Sequence, residues 1–178
     1  MKKILLLPAW MTSLDLYENT GEVITRIGSL EEADLSADYL VGLSLGALEV
    51  LKKANYIKGK IILINPPIPK RNLLIWFGKW LSWITHEGPF LARQHFTKNP
   101  YQYGVCFIRN LKLLTMDFSQ VLENFPKEKF VVIRGKNDNF FCDDKAVKFL
   151  NGKNIKIIET DGGHNWCEPT EKAMNQFS

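Results

Sequence analysis

Residues 38–46 read DYLVGLSLG, an apolar run that ends in the pattern Gly-x-Ser-x-Gly with Ser44 at its centre. The part before Ser44 is apolar enough to be a buried strand, and Leu45 to Ala54 reads as a helix. A glycine-flanked serine between a strand and a helix is typical of a sharp turn that holds the hydroxyl above the edge of a sheet. Such a serine can also belong to an ordinary structural turn, so its interpretation as a nucleophile depends on the rest of the chain.

Three histidines are available to activate the serine, because a hydroxyl is a poor nucleophile until a base takes its proton. His164 follows Gly162 and Gly163 directly after the last predicted strand, and two glycines permit a turn that brings an imidazole back over the sheet. His86 and His95 fall inside an aromatic-rich segment and are interpreted as surface or partly buried residues. His164 is therefore the predicted base.

Asp138 is the predicted acid that orients the histidine, because it lies in the loop after the fifth predicted strand. Asp143 and Asp144 open the following helix, where N-capping or the helix dipole explains them. Asp161 is too close in sequence to His164 to reach round it easily. Nucleophile, acid and base then each follow a strand of their own, so a parallel sheet would bring them to one edge.

Acyl transfer also needs two donors for the charge that develops on the carbonyl oxygen, and backbone N–H groups usually supply them. Leu45, the residue after the serine, is predicted to supply one of these donors. The other is expected from the loop after the first strand, at Trp10. The Trp10 side chain can pack over the sheet at the same time, because the donor is main chain.

Short aliphatic runs alternate with helical patterns along the chain, which indicates a parallel sheet covered by helices on both faces. The predicted strands are residues 3–7, 23–27, 39–43, 60–64, 130–134 and 155–158, and the predicted helices are 45–54, 143–150 and 168–177. Residues 67–120 interrupt this rhythm with many aromatic residues at helical spacing. We expect them to form a helical lid inserted in a single domain that spans residues 1–178.

Ser44 in its turn, Asp138 and His164 together resemble the α/β-hydrolases over nearly the whole chain. Within that superfamily, the sequence is similar to the carboxylesterases of biotin synthesis, which hydrolyse pimeloyl-acyl carrier protein methyl ester. Trp10, Leu45 and the basic insertion match three features of that group. The resemblance implies a serine carboxylesterase without a cofactor, acting on an ester carried by an acidic acyl carrier protein.

The same resemblance implies an α/β fold of a trimmed kind, with a mostly parallel sheet of about six strands flanked by helices and a helical lid. Only 37 positions separate Leu7 from Ser44, which leaves little room for the elements that normally fill this stretch. Pro8 and Ala9 stand where the family has His-Gly. We therefore expect a short member of the superfamily.

The excess of positive over negative charge lies in the predicted lid. Residues 67–120 carry a net charge of +5, whereas the whole chain carries +4. Arg71, Arg93, Arg109 and Lys112 are interpreted either as a solvated face or as contacts to an acidic partner. An acyl carrier protein suits this charge, whereas nucleic acid is not expected because no nucleic-acid-binding motif occurs.

Composition narrows the setting further. Cys106, Cys142 and Cys167 are odd in number and far apart, so neither a disulfide framework nor a zinc site is expected. No stretch reaches the roughly 20 apolar residues that span a bilayer, and the apolar run near the start lacks a cleavage site. We expect a cytoplasmic protein with no membrane or metal partner.

Three other functions remain open at the level of sequence. A general carboxylesterase or a thioesterase would carry the same triad with a different acyl pocket. Small serine hydrolases of unassigned substrate are also short, although the long basic insertion argues against them. A non-catalytic module that binds an acyl chain or a peptide is the alternative from a different class, and the joint presence of nucleophile, acid and base argues against it.

Overall fold

Parallel strands form the centre of the protein. The computed structural model describes residues 3–10, 12, 17, 22–23, 30–31, 34–87, 108 and 110–177. Within these residues the strands are β1 (Ile4–Leu7), β2 (Glu22–Val23), β3 (Tyr39–Leu43), β4 (Lys60–Ile64), β5 (Phe130–Gly135) and β6 (Lys156–Thr160). They form one sheet in the order β2-β1-β3-β4-β5-β6, and every pairing is parallel. The predicted sheet of about six strands is confirmed.

Helices cover both faces of this sheet. The described helices with assigned bounds are α1 (Leu45–Lys53), α2 (Leu73–His86), α3 (Ser119–Asn124), α4 (Asp144–Gly152) and α5 (Glu168–Phe177). On β3, Leu40 packs into a cluster with Leu48 of α1, while its neighbour Val41 packs into a second cluster with Met174 of α5. Successive side chains point to opposite faces and both faces are covered, so the strand is apolar throughout.

Element boundaries differ from the predicted ones by one or two residues at most positions. The second strand is described only at Glu22–Val23, and residues 24–27 of the predicted strand lie outside the described residues. Helix α4 begins at Asp144 because the Asp143 carboxylate accepts a hydrogen bond from the Ala146 N–H at 3.2 Å. Asp143 is therefore the N-cap, as its sequence position predicts.

The strand order changes direction between β1 and β3, since β2 lies on one side of β1 and the later strands lie on the other. In open parallel sheets, ligands bind in the crevice outside the carboxyl ends of the strands at such a point. Here β1 leads to Trp10 and β3 leads directly to Ser44. The topology therefore places the predicted nucleophile and the predicted oxyanion loop beside the same crevice.

Helix α2 lies within the predicted lid, between β4 and β5. Asn72 caps it, because its side-chain oxygen accepts the Leu74 N–H at 2.9 Å. Residues 110–115 are also helical, whereas 88–107 and 109 lie outside the described residues. In the part of the chain that the structure describes, no helix is long and apolar enough to cross a membrane.

Candidate active site

Ser44 sits in a tight turn between β3 and α1, with φ 52° and ψ −117°. A positive φ is uncommon for a non-glycine residue and occurs where the surrounding structure imposes it. A Cβ at Gly42 would lie 2.6 Å from the Cα of Ala47, and one at Gly46 would lie 2.5 Å from the carbonyl oxygen of Leu7. Both flanking positions therefore require glycine for the turn to close.

Three side chains from three strand ends meet at this turn. The Ser44 Oγ lies 3.0 Å from His164 Nε2, and His164 Nδ1 lies 2.7 Å from Asp138 Oδ2. Ser44, His164 and Asp138 are 7%, 6% and 0% exposed, so water competes little for these contacts. The structure brings the three predicted triad residues together in hydrogen-bonding order.

The Asp138 carboxylate is held by backbone donors of its own loop. Oδ1 accepts the N–H groups of Phe140 at 3.1 Å and Phe141 at 3.0 Å, and Oδ2 accepts that of Cys142 at 3.1 Å. Burial raises the pKa of the Asp138 carboxyl, but the charge of His164 and these hydrogen bonds outweigh it, so the pKa lies below its ordinary value. The carboxylate is thus ionised at neutral pH.

An ionised Asp138 can only accept a hydrogen bond, so Nδ1 of a neutral His164 must carry its proton toward Asp138. Nε2 then has a free lone pair that faces the Ser44 hydroxyl. The Phe141 ring centroid lies 4.4 Å from that of the imidazole, and the Trp83 ring meets it edge-on at 6.2 Å. These aromatic rings limit the orientation of the imidazole and exclude water from it.

The two residues predicted to supply the oxyanion donors line the same cavity as Ser44. Leu45 is the first residue of α1, and the N–H of a first helical residue has no acceptor within its helix. Both Leu45 and Trp10 line the cavity at Ser44. The Trp10 ring stacks on Trp80 of α2, with centroids 6.5 Å apart.

A short hydrogen-bond chain fastens the loop after β1. The Thr12 hydroxyl donates to the carbonyl oxygen of Ala9 at 2.9 Å, so its oxygen is left to accept from the Tyr17 hydroxyl at 2.9 Å. Burial raises the pKa of Tyr17 to about 12, against the effect of its hydrogen bonds, which keeps this hydroxyl protonated. The chain holds Ala9, and with it the adjoining Trp10, near the strand ends.

An apolar cavity of about 140 Å³ opens above Ser44. Aromatic side chains form much of its wall, namely Trp10, Phe77, Trp80, Trp83, Phe141 and Trp166. None of the described residues that line it is aspartate, glutamate, lysine or arginine. A wall of this kind suits a neutral hydrocarbon chain and disfavours a free charge.

Arg71 does not lie where a carrier-binding residue is expected. Its side chain is only 7% exposed and makes a two-pronged ion pair with Asp143, with Nη1 and Oδ2 2.7 Å apart. The guanidinium links the segment before α2 to the cap of α4, so the surroundings of Arg71 support neither a solvated face nor a contact to an acidic partner. Lys112 is exposed, as predicted, whereas Arg93 and Arg109 lie outside the described residues.

Glu87 is a site residue that the sequence reasoning missed. It follows α2, and Asn165 Nδ2 donates to its carboxylate at 3.3 Å. Burial raises the pKa of Glu87 above its ordinary value, although the charge of His164 acts in the opposite direction. The lid helix therefore touches the loop that carries the base, and no local pattern around Glu87 announces this contact.

Asn65 was also missed, although a signal exists. A polar residue directly after a buried parallel strand points to the edge where ligands bind. Asn65 follows β4 in this way and is fully buried.

His86 is exposed, and its Nδ1 lies 2.7 Å from the Ser82 carbonyl oxygen. Its surroundings agree with its interpretation as an ordinary surface residue.

The chain was compared with known proteins at the level of sequence and of structure. Its sequence matches no protein-family model and no curated protein sequence. An esterase from Pyrococcus furiosus is similar in structure over 99% of this chain and 80% of its own, at 14% identity and a TM-score of 0.57. BioG from Haemophilus influenzae is similar over 92% of this chain and 88% of its own, at 14% identity and a TM-score of 0.58.

A third similar structure is an α/β-hydrolase from Sphaerobacter thermophilus. The similar region covers 99% of this chain and 93% of that hydrolase, at 14% identity and a TM-score of 0.58. Likeness at this identity is evidence of a shared fold. The protein therefore has the α/β-hydrolase fold, as its sequence predicts.

Proposed function

We propose that this protein is a serine carboxylic ester hydrolase that works through an acyl-enzyme. The observation that carries the proposal is the contact chain from Ser44 Oγ through His164 to Asp138 at the base of an apolar cavity. Nucleophile, base and acid within hydrogen-bonding distance are what acyl transfer by a hydroxyl needs. A module that only binds its ligand has no need of this arrangement.

In the proposed reaction the Ser44 Oγ attacks the ester carbonyl while His164 Nε2 takes the hydroxyl proton. Asp138 stabilises the imidazolium, and the N–H groups of Leu45 and Trp10 donate to the oxyanion. The imidazolium then gives the proton to the leaving alcohol, which departs as the acyl-enzyme forms. Water, activated by His164, attacks the acyl-enzyme and releases the carboxylic acid.

The narrower proposal is that the substrate is the methyl ester of a pimeloyl chain on an acyl carrier protein. The uncharged wall of the cavity supports it, because a chain of methylene groups loses little by leaving water there. Lys70 and Lys112 support an acidic partner because both are exposed and positively charged. Each lies within three residues of a residue that lines the cavity, Pro67 and Leu111 respectively. The paired Arg71 contributes no support.

Methanol release from the carrier-bound methyl ester tests the mechanism. Ser44→Ala should lower kcat by at least about 10⁴-fold, as loss of a serine nucleophile does elsewhere. It should also abolish labelling by a fluorophosphonate. Ser36→Ala, at an exposed serine that does not line the cavity, is the matched control and should keep full activity. Full activity of Ser44→Ala would exclude the mechanism.

Charge reversal at Lys112 tests the partner. Lys112→Glu should lower kcat/KM for the carrier-bound ester more than for a small p-nitrophenyl ester. Lys145→Glu changes the net charge equally on the exposed side of α4 and should affect neither substrate. Equal losses on both substrates would reject the carrier protein and leave a general carboxylesterase.

A further inference from the structure

Asn65 links the three strand ends that carry the triad. It has φ 46° and its side chain is completely buried. The carbonyl of the residue before it, Ile64, accepts the Ser44 N–H at 2.8 Å. The peptide unit between Ile64 and Asn65 therefore holds the nucleophile turn directly.

The Asn65 side chain makes the other two links. Its Nδ2 donates to the carbonyl oxygens of Gly163 at 3.0 Å and His164 at 2.9 Å, and its Oδ1 accepts the Gly135 N–H at 2.8 Å. Both amide hydrogens and the amide oxygen are used, so the partners define which end of the amide carries nitrogen. The Asn65 side chain thus bonds both the loop that carries His164 and the start of the loop that carries Asp138.

These two loops are packed backbone against backbone. A Cβ at Gly135 would lie 2.2 Å from the Gly163 carbonyl oxygen, which leaves no room for a side chain between them. The Asn65 amide reaches the pair from β4, on the other side of β5 from β6. It therefore supplies hydrogen bonds from outside the two loops, including one to the carbonyl of His164 itself.

We infer that Asn65 is a positioning residue, which sets the distance of the His164 imidazole from Ser44 and Asp138. The inference rests on the proposed function for its catalytic meaning. A positive φ suits glycine as well as asparagine, so the backbone conformation alone does not require asparagine at position 65. The three side-chain hydrogen bonds require it.

Two substitutions separate the links. Asn65→Gly keeps the backbone conformation and removes all three side-chain bonds. Asn65→Asp keeps an acceptor for Gly135 but turns an oxygen toward the carbonyls of Gly163 and His164, so only the link to the base is lost. The inference expects both variants to be impaired. Asn154→Gly is the matched control, because Asn154 is exposed and has φ 55°.

The kinetic test is kcat per active site, with sites counted by fluorophosphonate titration so that unfolded molecules are excluded. Both Asn65 variants should lose about 10- to 100-fold in kcat, the effect expected of a displacement of about 1 Å, with KM within about twofold. Asn154→Gly should match the wild type. An unchanged kcat per titrated site in both Asn65 variants would overturn the inference.

The proton between His164 and Asp138 provides a readout that needs no turnover. Such a short, charge-assisted hydrogen bond has a far-downfield proton resonance, which should weaken or shift in both Asn65 variants and stay unchanged in Asn154→Gly. A wild-type resonance in folded Asn65→Gly or Asn65→Asp would contradict the inference. Activity retained by Ser44→Ala would instead defeat the proposed function, and the resonance would still decide the role of Asn65.

Discussion

At the scale of single residues, the choice of acid is the most specific point of the site. Asp138 lies 26 residues from His164 in sequence and Asp161 lies just before it, and the two aspartates differ in surroundings. Asp138 is fully buried and receives three backbone hydrogen bonds, whereas Asp161 is exposed and pairs with Lys136 at 3.0 Å. Only Asp138 has its charge held in place beside the imidazole.

Asp138→Asn should therefore lower kcat by about 10⁴-fold, because an amide no longer selects the histidine tautomer that the mechanism needs. Asp161→Asn serves as the control and should keep activity within about twofold, since surface ion pairs contribute little. Steady-state kinetics on a p-nitrophenyl ester measure both. A large loss in Asp161→Asn with little loss in Asp138→Asn would reverse the assignment.

The two glycines that flank Ser44 are also explained by their immediate surroundings. Gly42 and Gly46 lie against backbone atoms of α1 and β1, at distances that no Cβ tolerates. At Gly152, in contrast, an added Cβ would meet no atom within 4 Å. Close backbone packing, rather than glycine as such, therefore explains the two glycines beside Ser44.

At the scale of elements, helix α2 is fastened to the core by an ion-pair cluster. Arg71 and Lys79 both bond the carboxylate of Asp143, which in turn caps α4. The Arg71 guanidinium also lies over the Trp76 ring at 4.9 Å. The first half of α2, with the residue before its cap, and the start of α4 thus share the carboxylate of Asp143.

This cluster predicts a pH-dependent stability. Burial raises the pKa of Asp143, but the hydrogen bonds from Arg71 and Lys79 outweigh it and hold the pKa well below its ordinary value. The stabilisation is then present above the unfolded-state pKa of about 3.9 and is lost as pH falls through the lower folded-state pKa. Asp143→Asn should cost about 1–3 kcal/mol in the free energy of unfolding at pH 7.

Urea denaturation across pH measures this effect. The difference between wild type and Asp143→Asn should narrow as the pH falls below about 4, because Asp143 of the unfolded wild-type chain then takes up a proton that the folded carboxylate does not. It should be smallest once the folded carboxyl is protonated as well. Asparagine still caps a helix, so the loss reports the ion pairs. Asp144→Asn is the control, since the Asp144 side chain is 89% exposed. If the stability difference between wild type and Asp143→Asn stayed constant at all pH values, that result would contradict the role of Asp143.

At the scale of the whole molecule, the segment that carries the net positive charge also supplies part of the uncharged wall of the cavity. Residues 67–120 carry a net charge of +5, whereas none of the described residues that line the cavity is aspartate, glutamate, lysine or arginine. The proposed acidic partner would meet exposed lysines that do not line the cavity, such as Lys112, and would deliver a neutral chain to the cavity itself. Electrostatic attraction of this kind acts mainly on the rate of encounter.

Salt should then lower kcat/KM for a carrier-bound ester more than for a neutral small ester. Raising the ionic strength from about 0.1 M to about 1 M shortens the Debye length from about 10 Å to about 3 Å. We expect kcat/KM for a carrier-bound ester to fall by about tenfold or more, and that for a neutral small ester to stay within about twofold. Parallel salt curves for both substrates would argue against charge-guided encounter.

The sequence by itself determined the strands, the approach of Ser44, Asp138 and His164 to one another, and the tight turn at Ser44. Each of these depends on short stretches, such as the apolar run of β3 and the glycines beside Ser44, whose local conformation follows from neighbouring residues. The carboxyl ends of parallel strands share one edge, so residues after β3, β5 and β6 had to approach one another.

Only the tertiary structure decided the roles of Arg71, Asn65 and Glu87. Arg71 meets Asp143 at a separation of 72 residues, and Asn65 meets His164 at a separation of 99. Whether a basic residue faces solvent or a buried carboxylate, and whether an asparagine bridges two loops, depends on which distant segments pack beside it. No local pattern contains that information, because the partner is defined by the packing of helices and strand ends and not by distance along the chain.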